Sequence, residues 1–153
     1  MAKNTIILKN YLNNFEEFTA IGVITPGNLL EITSAGKVQR HSAAGSKTIT
    51  ILALEDNLQG KDINGDYAVG DKVQTWIPQT GDQAYMLLAN GESVVKGDAL
   101  TSNGDGTLKK FVAASSAAVI EAPEVIVAIS DQALDMSGSS AVDPSPRIEV
   151  RIA

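Results

Sequence analysis

From Ile21 onward the apolar and polar positions are patterned for strands. Arg147-Ile148-Glu149-Val150-Arg151-Ile152 alternates cleanly, which predicts a closing strand with one wet face. Val73, Thr75 and Ile77 alternate in the same way with Lys72, Gln74 and Trp76. Thr48 to Leu54 is β-branched and apolar enough for a buried strand. Leu29 to Thr33 and Lys37 to His41 read as a hairpin about Ser34-Ala35-Gly36. Ala84 to Ala89 and Glu124 to Ser130 predict two further strands. Turn residues punctuate the runs at Thr25-Pro26-Gly27, Gly81-Asp82, Asn90-Gly91 and Asn103-Gly104-Asp105-Gly106. Ala113 to Ala118 is rich in small residues and allows one short helix, while Ser137 to Pro146 has the composition of a loop. The predicted class is all-β.

The pattern occurs twice. Gly27 to Val38 lines up with Gly97 to Leu108 at a constant offset of 70 residues. Ile51-Leu52-Ala53-Leu54-Glu55-Asp56 then matches Ile126-Val127-Ala128-Ile129-Ser130-Asp131, now offset by 75. Each copy gives a Gly-opened strand, a Gly turn, a second strand, a small-residue loop and an apolar strand ending in Asp. Two such units, about 24–56 and 94–131, are too few for a solenoid. They predict a compact barrel or sandwich, a single domain over 21–153.

Residues 1–20 read differently. They are rich in Asn and carry no clean period, yet they hold Ile6, Ile7, Leu8, Tyr11, Leu12, Phe15 and Phe18. A disordered tail would be poorer in such side chains. Leu8, Leu12, Phe15 and Phe18 have helix-like spacing, which allows a short helical turn. The favoured expectation is an extended arm that packs on a partner or on its own body. Trp76 shares its strand face with Lys72 and Gln74, so it is expected to be half-buried in a monomer and to take part in self-association.

Composition narrows the functions. The chain has 153 residues, enough for one unstapled core, and no Cys, which removes disulfides and thiolate metal sites. No run approaches a membrane span, and the N-terminus lacks a signal-peptide core, so a soluble protein made in a cytoplasm is expected. The formal charge is −6 and aromatics are 5%, which disfavours binding to nucleic acid or stacking on sugars.

Catalytic chemistry is sparse. His41 is the one His, and no Gly-x-Ser-x-Gly elbow accompanies it. No His or Cys cluster can hold zinc. Asp62-Ile63-Asn64-Gly65-Asp66 begins like a calcium loop, but its Gly sits too early and Val73 stands where the bidentate Glu belongs. It is expected to be an exposed polar turn. No catalytic residue, cofactor or metal is therefore predicted.

Two phrases built on Gly-Asp turns, Val69-Gly70-Asp71-Lys72-Val73 and Val94-Val95-Lys96-Gly97-Asp98-Ala99-Leu100, resemble the gate strands of β-clip proteins. The wider run from Ile24-Thr25-Pro26-Gly27 through Gly36-Lys37-Val38 to Ile51-Leu52-Ala53-Leu54-Glu55-Asp56 resembles the head-decoration (capsid cement) proteins of tailed bacteriophages, over about 21–112. That resemblance implies a small β-barrel of β-clip or β-tulip type with an N-terminal arm. It implies a non-enzymatic virion protein on the outer surface of the capsid, clamping neighbouring major capsid subunits. A homotrimer, or else a dimer, would use arm residues Ile6, Ile7, Leu8, Tyr11, Leu12, Phe15 and Phe18 as the capsid contact. Two other classes remain open at this point: a surface-displayed ligand-binding or adhesin module, and a small β-clip enzyme such as a nucleotide hydrolase.

Overall fold

The structure, a computed structural model, describes residues 3–46, 48–113, 124–140 and 146–153. The expected short helix after Ala113 and part of the Ser137–Pro146 loop fall outside these residues. Among the described residues the strands, in chain order, are β1 (Ile7–Lys9), β2 (Phe15–Thr19), β3 (Leu29–Ile32), β4 (Val38–Arg40), β5 (Ile51–Ala53), β6 (Lys72–Trp76) and β7 (Gln83–Leu87). They continue with β8 (Ser93–Val94), β9 (Ala99–Ser102), β10 (Leu108–Lys110), β11 (Ala128–Ser130), β12 (Leu134–Asp135) and β13 (Arg147–Ile152). One 3-10 turn, Asn57–Gln59, accompanies them among the described residues. The fold is all-β, as the alternation predicts.

Four strands start from one turn design. In Thr25–Asn28, Ala68–Asp71, Gln79–Asp82 and Val95–Asp98 the third residue is Gly, with φ between +89° and +95°. That is the conformation a type II turn requires at this place and that a Cβ resists. The fourth residue closes the turn twice. Its N–H donates to the first carbonyl at 3.0–3.1 Å, and its side-chain oxygen accepts the first N–H at 2.8–2.9 Å. β3, β6, β7 and β9 each begin at the next residue.

The strands form a five-stranded sheet in the order β2-β6-β5-β3-β4, a six-stranded sheet in the order β1-β7-β13-β11-β9-β10, and a separate antiparallel pair of β8 and β12. Apart from β1, the registers of the two sheets correspond pair by pair. Leu30 opposite Arg40 matches Leu100 opposite Lys110, and Leu30 opposite Ile51 matches Leu100 opposite Ala128. Leu52 opposite Trp76 matches Ile129 opposite Arg151, and Phe18 opposite Val73 matches Met86 opposite Ile148. The correspondence therefore reaches beyond the hairpin units, from β2 and β7 to β6 and β13. One alignment is corrected: Ile51 corresponds to Ala128, not to Ile126. The unbroken apolar run Ile126 to Ile129 has no alternation to fix its register.

Single bridges join Ala20 to Val38 and Leu88 to Leu108. Each sheet thus curls toward its own far edge without closing, so the expected barrel is replaced by two curled sheets packed together. A small core of Ala20, Ile24, Leu30, Val38, Ile51, Ala53, Tyr67 and Val73 fills the curl of the five-stranded sheet. The larger core places Leu29, Leu52 and Trp76, from its other face, against Met86, Leu88, Leu100, Leu108, Ala128, Ile148 and Val150 of the six-stranded sheet.

Where they are described, residues 1–20 are extended and pack on the protein's own body, the second of the two placements expected of the arm. β1 pairs antiparallel with β7, and β2 pairs with β6 over its full length. The period was illegible because two short strands, in two different sheets, share one stretch of chain. The helical turn allowed by Leu8, Leu12, Phe15 and Phe18 is likewise replaced by these strands. Ile6 is buried in the larger core, Ile7 packs against it and Phe18 packs against the smaller one.

Candidate functional site

The two N-terminal strands face each other across the mouth between the sheets. There they enclose a groove of about 370 Å³ lined by Thr5, Ile7, Phe15, Leu54, Glu55 and Leu58, with Gln74 and Thr75 beside them. Glu55 fixes one wall: its carboxylate accepts the Thr5 hydroxyl at 2.6 Å and the Ile6 N–H at 3.1 Å. Asp56 caps the 3-10 turn by accepting the Gln59 N–H at 3.3 Å, and Gly60 ends it at φ 69°. This holds Leu58 out on a rigid corner, 82% exposed. Phe15 is 50% exposed on the opposite wall. An adjoining depression is polar, with Glu17, Asp56, Asp71, Lys72 and Gln74 in its lining. The site offers an apolar slot with an acidic flank.

The predicted contact residues divide between this site and the interior. Phe15 and Ile7 line the groove, and Tyr11 and Leu12 are exposed on the connection between β1 and β2. Leu8 is half-buried, on a separate depression with Lys3, Lys9, Gln83 and Glu149. Ile6 and Phe18 belong to the body. Trp76 requires a correction. It has no exposed surface, because the second sheet covers the face it shares with Gln74. Its indole N–H has no hydrogen-bond partner among the described residues. It cannot reach a second copy of the chain. Leu58 was missed from the sequence, since nothing in the run Asn57 to Gly60 sets it apart from a polar turn, and Leu54 was read only as the end of a buried strand.

His41 lies elsewhere and has a recognisable geometry. Its Nδ1 is 2.6 Å from the Ser102 hydroxyl, and its Nε2 is 3.9 Å from a Glu31 carboxylate oxygen. Burial pushes the imidazole below its ordinary value, against the opposing pull of Glu31. Ser102 has no exposed surface, so its hydroxyl reaches no substrate. His41 and Ser102 form a buried strut between the end of β4 and β9, with the partly exposed Glu31 of β3 at its outer end.

The calcium-like loop is also committed elsewhere. Asp62 accepts the Asn64 N–H at 2.9 Å, and Asn64 Oδ1 accepts from the Arg147 guanidinium at 3.2 Å. Arg147 donates further to the carbonyls of Pro26 and Ile63, tying two loops to β13. Among the described residues no group of three or more His, Asp or Glu side chains is placed to hold a metal ion, and no helix is long and apolar enough to cross a membrane.

No protein-family model matches this chain, and no curated protein matches it in sequence. Its fold is similar to that of the head fiber gp8.5 N base of bacteriophage phi29. The TM-score is 0.56 over 93% of this chain and 95% of that chain, at 14% identity.

Proposed function

We propose that this chain is a structural protein of a bacteriophage head, seated on the outer surface of the shell against major capsid subunits. The observation that carries this reading is the likeness of fold, along nearly the full length of both chains, to a phage head-fiber base. The surface chemistry supports it. A formal charge of −6 suits a protein outside a DNA-filled shell, where attraction to the genome would compete with its place. A largely apolar groove suits a protein that works by contact. Clamping of neighbouring subunits, and a trimer formed on the shell, belong to the same proposal, with Trp76 taking no part.

The test is rebinding. Purified chain is mixed with shells that lack it, and occupancy is read by electron microscopy, together with the temperature at which the shells release DNA. The reading expects ordered density at fixed sites outside the shell and later release. Absence of ordered density at saturating protein overturns it.

A further inference from the structure

The two sheets differ at one edge. Every strand of the five-stranded sheet has a counterpart in the six-stranded sheet, and the strand left over is β1. It covers the outer edge of β7, whereas the outer edge of β2, the counterpart of β7, has no strand on it among the described residues.

Ladder alternation identifies the groups concerned. Asn14 and Ala20 bond inward, the first accepting from Ile77 N–H and the second donating to Asp71 carbonyl, both at 2.9 Å. Glu16 and Phe18 share their parity, so the backbone groups of Phe15 and Glu17 point away from β6. Their counterparts in β7 are Gln83 and Tyr85. There β1 supplies the missing half: Tyr85 N–H donates to the Ile6 carbonyl at 2.8 Å, and Lys9 lies opposite Gln83.

We propose that the β2 edge at Phe15–Glu17 receives one extended strand from the shell subunit, antiparallel to β2 as β1 is to β7. The identity of the partner rests on the head reading above; the open edge does not. Main-chain bonds supply affinity in such strand addition, and alternate side chains supply choice. One face of the incoming strand meets Phe15, Ile7 and Leu58 and is apolar. The strand also carries Lys or Arg, because exposed Glu16 and Glu17 flank the edge and Asp56 and Asp71 line the adjoining depression. A second copy pairing through its own β2 would set Glu against Glu, which disfavours that occupant.

Glu17→Pro removes the outward N–H and leaves the ladder to β6 intact, as an edge strand permits. Glu17→Ala is its control, since both lose the 2.8 Å bond from Gln74 and only proline loses the N–H. The first probe is a peptide of residues 3–12, the segment that covers the sister edge, titrated to millimolar on isotope-labelled full chain by NMR. Shifts at the Phe15 and Glu17 amides in the wild type, kept in E17A at the remaining sites of that edge and lost in E17P, are expected. No shift at this edge, or equal shifts with E17P, overturns the proposal. A peptide with both Lys3 and Lys9 changed to Glu needs no variant protein; it is expected to bind several-fold more weakly, and equal binding overturns the charge argument. On shells, E17A is expected to bind a few-fold more weakly than the wild type, through the lost charge, and E17P about ten-fold more weakly than E17A or worse. E17P binding like E17A overturns the shell strand as occupant. A wild type that does not bind shells overturns the head reading instead, and the edge is then decided by the peptide.

Discussion

The five-stranded and six-stranded sheets have the same registers but different surroundings. Both fill their curled faces with equivalent residues. Leu30, Ile51 and Val73 in one correspond to Leu100, Ala128 and Ile148 in the other, and all six are buried. Their opposite faces diverge. In the five-stranded sheet that face, with Leu29, Leu52 and Trp76, lies in the larger core; in the six-stranded sheet Arg151 occupies the place of Trp76 and reaches Asp131 at 3.2 Å, on the surface. The two units are therefore stacked head to tail, the back of one on the front of the other. A twofold pair would bury the same face in both. Head-to-tail stacking leaves one back exposed, and the sequence has made that back polar, as the terminal unit of a stack requires.

Exchanging the unequal partners gives the largest expected effect. Trp76→Ala empties the junction between the sheets and is expected to cost about 3–5 kcal/mol in urea unfolding. Arg151→Ala, at the equivalent register, removes one half-exposed ion pair and is expected to change stability by less than about 1 kcal/mol. Equal costs would break the head-to-tail account.

Next in size is the first residue of the closing strand. Arg147 corresponds to Lys72, since Thr19 opposite Lys72 matches Leu87 opposite Arg147. Arg147 is buried and holds the carbonyls of Pro26 and Ile63, whereas Lys72 is exposed and bonds the Thr19 hydroxyl at 2.8 Å. Arg147→Met leaves buried carbonyls without these donors and is expected to cost about 2–4 kcal/mol, against about 0.5 kcal/mol or less for Lys72→Met. Thermal and urea unfolding of the pair measure the difference.

The turns give a matched test with a smaller effect. Gly27 and Gly97 hold equivalent places and both have φ +95°. A Cβ at Gly27 would stand 3.1 Å from both the Arg147 Nε and the Tyr85 carbonyl; at Gly97 it would meet nothing within 4 Å. Gly97→Ala therefore carries only the backbone cost of positive φ, about 1 kcal/mol. Gly27→Ala is expected to cost about 1–3 kcal/mol more. A denaturant series on the two variants decides it, and equal losses would show that the close packing at Gly27 relaxes freely.

The sequence was most legible where local chemistry acts alone. The Gly-Asn and Gly-Asp turns announce their strands because Gly supplies the φ and the next side chain closes the turn within four residues. Alternation likewise places Ile148, Val150 and Ile152 on the core. What alternation cannot say is whether the other face stays wet. Lys72 and Gln74 mark the face of Trp76 as polar, and only the second sheet, far away in sequence, turns its end into core. The groove was half legible for the same reason. Phe15 and Ile7 stood out as apolar residues in a polar stretch, but their partner Leu58 reaches them through a turn whose position depends on Asp56, Glu55 and the course of β1. Which sheet each piece of residues 1–20 joins was not legible, because each short strand takes its order from a sheet formed elsewhere in the chain. Truncating those residues would accordingly remove β1 and β2 from the two sheets and lower stability.

The smallest effect expected is a dependence on pH, and it too sets one half against the other. His41 follows β4, and its place in the second half, after β10, belongs to Phe111. His41 is 2% exposed and bonded to Ser102, and burial holds its folded-state value below the ordinary 6.5. The unfolded chain takes up the proton first as pH falls through about 6.5, while the folded chain still excludes it. The stability contributed by the neutral buried imidazole is therefore fully present above that pH and is lost as pH falls through the lower folded value. Glu31, at 3.9 Å, opposes the shift and keeps the effect small. Unfolding free energy measured from pH 7.5 down to pH 5 is expected to decline in the wild type and to decline less in His41→Phe, which installs the residue of the other half. Carboxylates other than Glu31 contribute to both proteins alike, so the difference between the two curves reports the imidazole and this one neighbour. Parallel curves would mean that the folded protein protonates His41 as readily as the unfolded chain does, and that the Ser102 strut is open to the proton.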